Sequence, residues 1–257
     1  VGIRALPSGT VEVLTGAVEQ GMGLFSVLQR VVAATLEIEE ERVRIVQEPA
    51  KRGSPFDPGA GGSRQTHVTG RAALAAAQQL RERLERLENR WPKDDSIEVR
   101  ATYEAAHGHD PAPHSFCGFA VEVAVDPETG ALSVVDVVCA VDTGTILNPV
   151  AHRGQVNGGF MMGLGHALTE ELRVSDGEVV NPSLADYKIP TQMDAPPLRI
   201  VHYEQAAGPG PFGAKMAGEI NTATIAPAIA NAIAAACGAR VTALPLTAER
   251  ILAAQPR

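Results

Sequence analysis

The sequence predicts an α+β fold, with mixed sheets packed with helices and two subdomains. Three observations carry that expectation. Segments of period-two alternation are interspersed with segments whose apolar residues recur at helical spacing. Their order follows no regular βαβ rhythm, which argues against a single parallel sheet. Stretches rich in glycine and proline separate them. The 257 residues suffice for one large domain or two small ones. A chain of that length can bury roughly three-quarters of its unfolded surface, so its core needs no staples. Apolar residues make up 45% and charged ones 20%, an ordinary globular profile.

The elements follow in order. Residues 10–15 (TVEVLT) alternate and read as a strand, which runs into the turn Gly21-Met22-Gly23. A helix comes next, with Leu24, Val27, Leu28, Val31 and Val32 on one face. Residues 43–46 form another short strand. Residues 48–62 (EPAKRGSPFDPGAGG) make a loop that is long for a structureless connection, and such loops are disproportionately functional. A helix is expected over 70–89, with Leu74, Leu80, Leu84 and Leu87 as its apolar seam. On its outer face Arg81 pairs with Glu85 and Glu82 with Arg86 across single turns. The WPKDD that follows marks a boundary, dividing the chain into 1–95 and 96–257.

The second part opens with strands at 119–125 and 132–141, joined by the hairpin signal Asp126-Pro127-Glu128-Thr129-Gly130. A helix over 154–172 carries glycines at 158, 159, 163 and 165. Each interior glycine costs a helix about 1 kcal/mol relative to alanine, so four predict close backbone approach to a neighbour or ligand. Ser175-Asp176-Gly177 is a second hairpin turn. The last helix starts near Thr224, tolerates Pro227 in its first turn and stops at Gly238.

Lys and Arg total 22 against 30 Asp and Glu, a net charge of −8 with no dense basic stripe, which argues against a nucleic-acid partner. Cys117, Cys139 and Cys237 are odd in number and far apart in sequence. They exclude a disulfide framework and any four-thiolate cluster built from this chain alone. The longest apolar run, 225–237, is interrupted by Pro227 and Asn231 and reads as too short to span a bilayer. With no signal peptide either, no membrane span and a cytoplasmic location are expected. The chain begins at Val1 without an initiator methionine and reads as a piece of a longer protein.

Three stretches carry candidate chemistry. Gly59-Ala60-Gly61-Gly62-Ser63-Arg64-Gln65-Thr66 can cradle an anion on unhindered N–H groups, or serve as a structural turn. It matches neither the dinucleotide fingerprint nor the P-loop. Residues 208–219 (GPGPFGAKMAGE) end in Glu219 at the mouth of an apolar helix. Desolvation there would raise its pKa toward that of a general base. The helix N-terminus works the other way, favouring the anion by about 0.3–1 kcal/mol. Alternatively Glu219 caps that helix or pairs with Lys215. Gln155, among glycines at a helix entry, offers a donor and an acceptor to a cofactor or lies on the surface. Asp142 and Asn148 read as turn and capping residues. His107, His109 and His114 cluster with Asp110 but match no zinc spacing, so no metal-ligating residue is assigned.

These motifs are not independent. VLTGAVEQGMG, GAGGSRQTHVTGRA, DTGTILNPVAHRGQVNGGFMMGLGHALTEEL, NPSLADYKIPT, GPFGAKMAGE and APAIANAI…LPLTAERIL occur in this order. Together they resemble the C-terminal molybdopterin-binding half of the xanthine dehydrogenase/aldehyde oxidase family of molybdenum hydroxylases, over almost the whole chain. The resemblance implies a molybdenum–pterin cofactor, as mononucleotide or dinucleotide, with no side chain on the metal. It places Gly62 beside the metal, Ser63, Arg64 and Gln65 on the pterin, and Gly61 with them in the loop that contacts the cofactor. Gly21, Met22, Gly23 and Gln155 would line the cofactor from other sides, with Lys215 and Gly218 shaping the turn before the site. Glu219 would be the catalytic base, deprotonating the metal-bound hydroxyl that attacks an electron-poor carbon of a small-molecule N-heterocycle or aldehyde. Three positions depart from the family pattern: Met22 replaces a common glutamine, Met216 a small residue and Ile220 a frequent proline. The implied partners are the complementary molybdopterin-binding half and domains or chains carrying 2Fe–2S clusters and FAD. Without them the chain would be inactive. The alternative is a folded, cofactor-free structural or assembly fragment.

Overall fold

The structure, a computed structural model, describes residues 1–47, 54–88, 91–104, 114–204 and 208–256. It comprises two compact units. The first contains Val1–Ser115, Thr143–His152 and Glu204–Met216; the second contains Phe116–Asp142, Arg153–Tyr203 and Ala217–Arg257. These units do not coincide with a single cut at 95/96, because two later segments return to the first.

The first unit is built on a four-stranded sheet of β1 (Gly2–Ala5), β2 (Val11–Leu14), β3 (Val43–Val46) and β4 (Ile97–Arg100), in the order β3-β2-β1-β4. β1 runs antiparallel to β2 and β4, and β2 parallel to β3, so the sheet is mixed. Helix α1 (Leu24–Leu36) makes the crossover that a parallel pair requires. Its predicted face is the buried one: Leu24, Val27, Leu28, Val31 and Val32 all lie in the core with Ile3, Val11 and Val13. Each such side chain contributes about 1.5–3 kcal/mol relative to exposure. Helix α2 (Gln65–Arg86) starts five residues before its expected position at 70. Leu74, Leu80 and Leu84 of the expected seam pack on the core, joined by small alanines. Ala73, Ala76, Ala77 and Leu80 are buried, whereas Leu87 is 46% exposed and follows the last turn. Small alanines let the helix approach α1 closely.

The second unit holds a three-stranded mixed sheet of β5 (Phe116–Val125), β6 (Leu132–Asp142) and, further along the chain, β9 (Leu198–His202), in the order β5-β6-β9. β5 and β6 form the expected hairpin, antiparallel throughout, while β6 and β9 are parallel. The Asp126 carboxylate closes the hairpin turn by accepting from the backbone N–H groups of Glu128 and Thr129, at 2.8 and 3.0 Å. Helix α3 (Pro149–Leu168) spans more of its N-terminal side than 154–172 and ends four residues sooner. Two-residue strands β7 (Val174–Ser175) and β8 (Glu178–Val179) pair across the second predicted turn. A single turn, α4 (Leu184–Tyr187), precedes β9; α5 (Ile220–Cys237) and α6 (Ala248–Ala254) follow it.

α5 packs Ile225, Ile229 and Ile233, all fully buried, into the core with Val137, Phe160 and Leu164. Its start at Ile220 lengthens the apolar element to 18 residues with mean hydropathy 1.4. By length and composition alone this helix is long enough to cross a membrane, the apolar run 225–237 being its C-terminal part. The i, i+4 spacing of its three isoleucines is that of a stripe facing one core.

Candidate cofactor site

In the first unit the glycine-rich loop leads into the N-terminus of α2, where unpaired N–H groups and the helix dipole favour an anion. Gly61 and Gly62 are exposed, and a Cβ added to Gly59, Gly61 or Gly62 would meet nothing within 4 Å. Gly62 and Ser63 both adopt left-handed backbone, with φ of 59° and 56°. The Ser63 hydroxyl oxygen is buried and has no hydrogen-bond partner among the described residues. An open glycine edge at a helix N-terminus, with an orphaned hydroxyl beside it, suits an anionic group such as a pterin phosphate. The loop therefore fits that group.

The Arg64 and Gln65 side chains are engaged within the loop. Both side chains donate to one Asp57 oxygen, from Arg64 Nη1 at 3.1 Å and Gln65 Nε2 at 3.0 Å. The Gly59 N–H reaches the same oxygen at 2.8 Å, and Thr69 Oγ1 donates to the other at 3.0 Å. Burial alone would raise the Asp57 carboxyl. The hydrogen bonds from Gln65, Gly59 and Thr69, with the Arg64 guanidinium, outweigh it and hold the group below the usual carboxylate range. A cavity of about 320 Å³ adjoins the loop, lined by Thr15, Pro55, Asp57, Arg64, Thr69 and Tyr103 among others.

The turn Gly21-Met22-Gly23 also precedes a helix, but an internal acid occupies its amides. Glu19 Oε1 accepts from the N–H groups of Gly21 and Gly23 at 2.8 and 3.0 Å, and Oε2 from Phe25 at 3.1 Å. The Met22 sulfur accepts from the Gln20 N–H. In the same unit, residues 208–215 form a knot. The Gly208 N–H donates to the Gly213 carbonyl at 2.7 Å, Gly210 to Ala214 at 3.0 Å, and Lys215 to Thr143 at 2.8 Å. Lys215 is only 7% exposed.

In the second unit Glu219 takes the N-cap position of α5, and its backbone carbonyl accepts from Thr222 N–H at 3.2 Å. Its side chain makes no capping bond and is exposed, so the chain by itself does not supply the desolvation expected of a base. Three of the four predicted glycines of α3 lie against neighbours. A Cβ on Gly165 would fall inside contact of the Glu170 carboxylate and Pro190. A Cβ on Gly163 would fall well inside van der Waals contact of the Thr222 carbonyl and Ile225, and one on Gly159 would lie 3.2 Å from Asn221 Cβ. Gly154 and Gly158 face open space, with half-buried Gln155 between them.

The pattern reading missed Asn221. It is fully buried, and its Oδ1 accepts from the thiols of Cys117 at 3.3 Å and Cys139 at 3.7 Å. Its Nδ2 donates to the Ala217 carbonyl at 3.4 Å. The two sulfurs, 22 residues apart in sequence, lie 3.6 Å from one another because β5 and β6 fold back on each other. The Cys139 thiol hydrogen bond pulls Cys117 down to about 7 and pushes Cys139 up. Of the histidine cluster, His107 and His109 lie outside the described residues, as does Asp110.

Comparison with known proteins places the domain. A family model described as a molybdopterin cofactor-binding domain matches residues 1–102 and again 91–196. The xanthine dehydrogenase molybdenum-binding subunit of Escherichia coli is 32% identical over 281 residues, covering 95% of this chain and 37% of that protein. The gamma subunit of the 6-hydroxypseudooxynicotine dehydrogenase complex of Paenarthrobacter nicotinovorans is 32% identical over 291 residues, covering 97% of this chain and 36% of its own length. Among solved structures, quinoline 2-oxidoreductase from Pseudomonas putida superposes with a TM-score of 0.85 at 25% identity, over 99% of this chain and 38% of that one. The aldehyde oxidoreductase of Desulfovibrio desulfuricans gives 0.83 at 28% identity, over 99% and 30%. The chain thus spans less than two-fifths of the length of these relatives.

Mixed sheets, an open glycine edge at a helix N-terminus and these likenesses define a cofactor-binding domain of the molybdenum-containing oxidoreductases. The chain belongs to the molybdopterin cofactor-binding family, in its xanthine dehydrogenase/aldehyde oxidoreductase branch.

Proposed function

We propose that this chain is the cofactor-holding portion of a molybdenum hydroxylase that oxidises an electron-poor C–H bond of a small molecule with water-derived oxygen. An N-heterocycle or an aldehyde is the substrate class, in keeping with the quinoline and aldehyde oxidoreductases among its structural likenesses. The observation that carries the reading is the buried, unpartnered Ser63 hydroxyl beside the open Gly61-Gly62 edge. A molybdenum–pterin, mononucleotide or dinucleotide, would supply the two-electron redox chemistry when bound. The backbone of Gly61 and Gly62 and the Ser63 hydroxyl would hold it, with Arg64 and Gln65 completing the loop. Gly21, Met22 and Gly23 would line it, as would Gln155. Lys215 and Gly218 would set the turn that ends in Glu219, and the Glu219 carboxylate would accept the proton from the attacking hydroxyl. Burial of Glu219 by the complementary molybdopterin-binding half would provide the desolvation it lacks here. Electrons would leave through 2Fe–2S and FAD on partner chains or domains.

Metal and pterin analysis tests this directly. A preparation of this chain alone should hold no molybdenum, and the complex with its complementary half about one per active site. Glu219→Gln in that complex should lower turnover by about 10²–10⁴-fold at unchanged molybdenum content. Full turnover in that variant removes the base assignment.

A second reading, a cofactor-free structural or assembly fragment, draws on the internal carboxylates: Glu19 and Asp57 already satisfy donors in both glycine turns. A complete complex devoid of molybdenum would decide for it.

A further inference from the structure

We propose that Asp57 is the positioning residue of the cofactor loop: it holds Arg64, Gln65 and the Gly59 amide in place, so that the backbone edge at 61–63 meets the cofactor while those two side chains do not. The inference rests on the cofactor reading above and refines it. A carboxylate offers about four lone-pair sites, all acceptors. Asp57 engages both its oxygens with four donors, Gly59, Arg64 and Gln65 on one and Thr69 on the other. Those partners lie 2, 7, 8 and 12 residues along the chain, so one side chain ties the start of the loop to the second turn of α2. Arg64 adds a second clasp, donating from Nη1 to the Gly59 carbonyl at 2.8 Å.

The charge arithmetic agrees. The Arg64 guanidinium is paired at 3.1 Å with an Asp57 side chain that is 11% exposed. With Arg64 neutralised, the glycine segment would meet an anionic cofactor with N–H dipoles and the α2 terminus, not with a free Arg64 guanidinium. The clasp leaves the exposed glycine edge, and the buried Ser63 hydroxyl beneath it, unengaged.

The test compares three variants of the full molybdenum-binding subunit, expressed with its partners. Molybdenum and pterin content and hydrogen exchange of the 59–64 amides are the readouts. Asp57→Ala should lower cofactor content by about tenfold or more and speed loop exchange by a similar factor, the least expected from losing hydrogen bonds to a charged group. Exchange in β1 and β2 should be unchanged. Asp57→Asn, which keeps the shape, should show the same pattern more weakly and serves as the readout should Asp57→Ala disturb those strands. Gly61→Val places bulk on the open edge and should empty the site while leaving the loop amides protected. If Gly61→Val empties the site but both Asp57 variants load fully with unchanged loop exchange, the positioning role is wrong and the cofactor reading survives. If Gly61→Val also loads fully, the cofactor reading itself falls.

Discussion

At the scale of single residues, Asn221 shows how a polar atom in an apolar element acquires its meaning. Within the helix sequence it looks like an interruption. In the fold its carbonyl oxygen is the acceptor for the Cys117 and Cys139 thiols, and its amide holds the Ala217 carbonyl two residues before Glu219. Asn221→Ala should destabilise the protein by about 1–3 kcal/mol, the penalty for leaving buried polar partners unmade, as read from the denaturation midpoint. A loss below a few tenths would mean that the thiols bond elsewhere. The place of Glu219 at the start of α5, by contrast, was legible before folding, because a carboxylate closing a glycine-rich turn ahead of an apolar run is a local pattern. The solvent exposure of its side chain was not. Asp57 was illegible for the opposite reason: its partners are spread over twelve residues that have no periodicity to read.

Among elements, the contact of α3 with α5 turns a sequence oddity into a packing rule. Gly163 sits where the α5 backbone comes closest, whereas Gly158 borders open space on the same helix. Gly163→Ala should therefore destabilise by about 1–3 kcal/mol through overpacking. Gly158→Ala should stabilise by about 0.5–1 kcal/mol through helix propensity alone. Thermal melting of the pair tests the assignment, and equal shifts would refute it. The expectation of close approach was therefore right for Gly159, Gly163 and Gly165 and wrong for Gly158, and the sequence offered no means of telling them apart. The β5–β6 hairpin was fully readable because its turn chemistry is local. β1 and β4 escaped notice, since four residues are too short a window for period-two alternation and each draws its stability from strands far along the chain.

For the molecule as a whole, the two units draw on interleaved stretches of chain, and charge is distributed so that acid weakens them. Burial would raise the Asp57 and Glu98 carboxyls, but hydrogen bonds outweigh it: those named above for Asp57, and those from Arg100 and Arg4 for Glu98. The backbone N–H groups of Thr129 and Glu128 lower Asp126. A folded pKa below the unfolded value lends stability that is complete above the ordinary carboxylate value near 4 and drains away as pH falls through the lower, folded one. The melting temperature should thus be nearly flat from about pH 6 to 5, below the Cys117 titration at about 7, and fall on further acidification. A rise below about pH 4 would contradict these signs.

Composition and local pattern sufficed for the α+β class, the hairpin turns, the buried face of α1 and the glycine loop with its downstream glutamate. Each of these depends on residues within a few positions of one another, where backbone preference and side-chain chemistry act directly. Folding alone settled which of the α3 glycines pack against α5, that two distant cysteines share one asparagine, and that Asp57 claims the arginine and glutamine the family pattern would assign to the cofactor. Those outcomes depend on which donors and acceptors are buried together, and burial belongs to the folded chain.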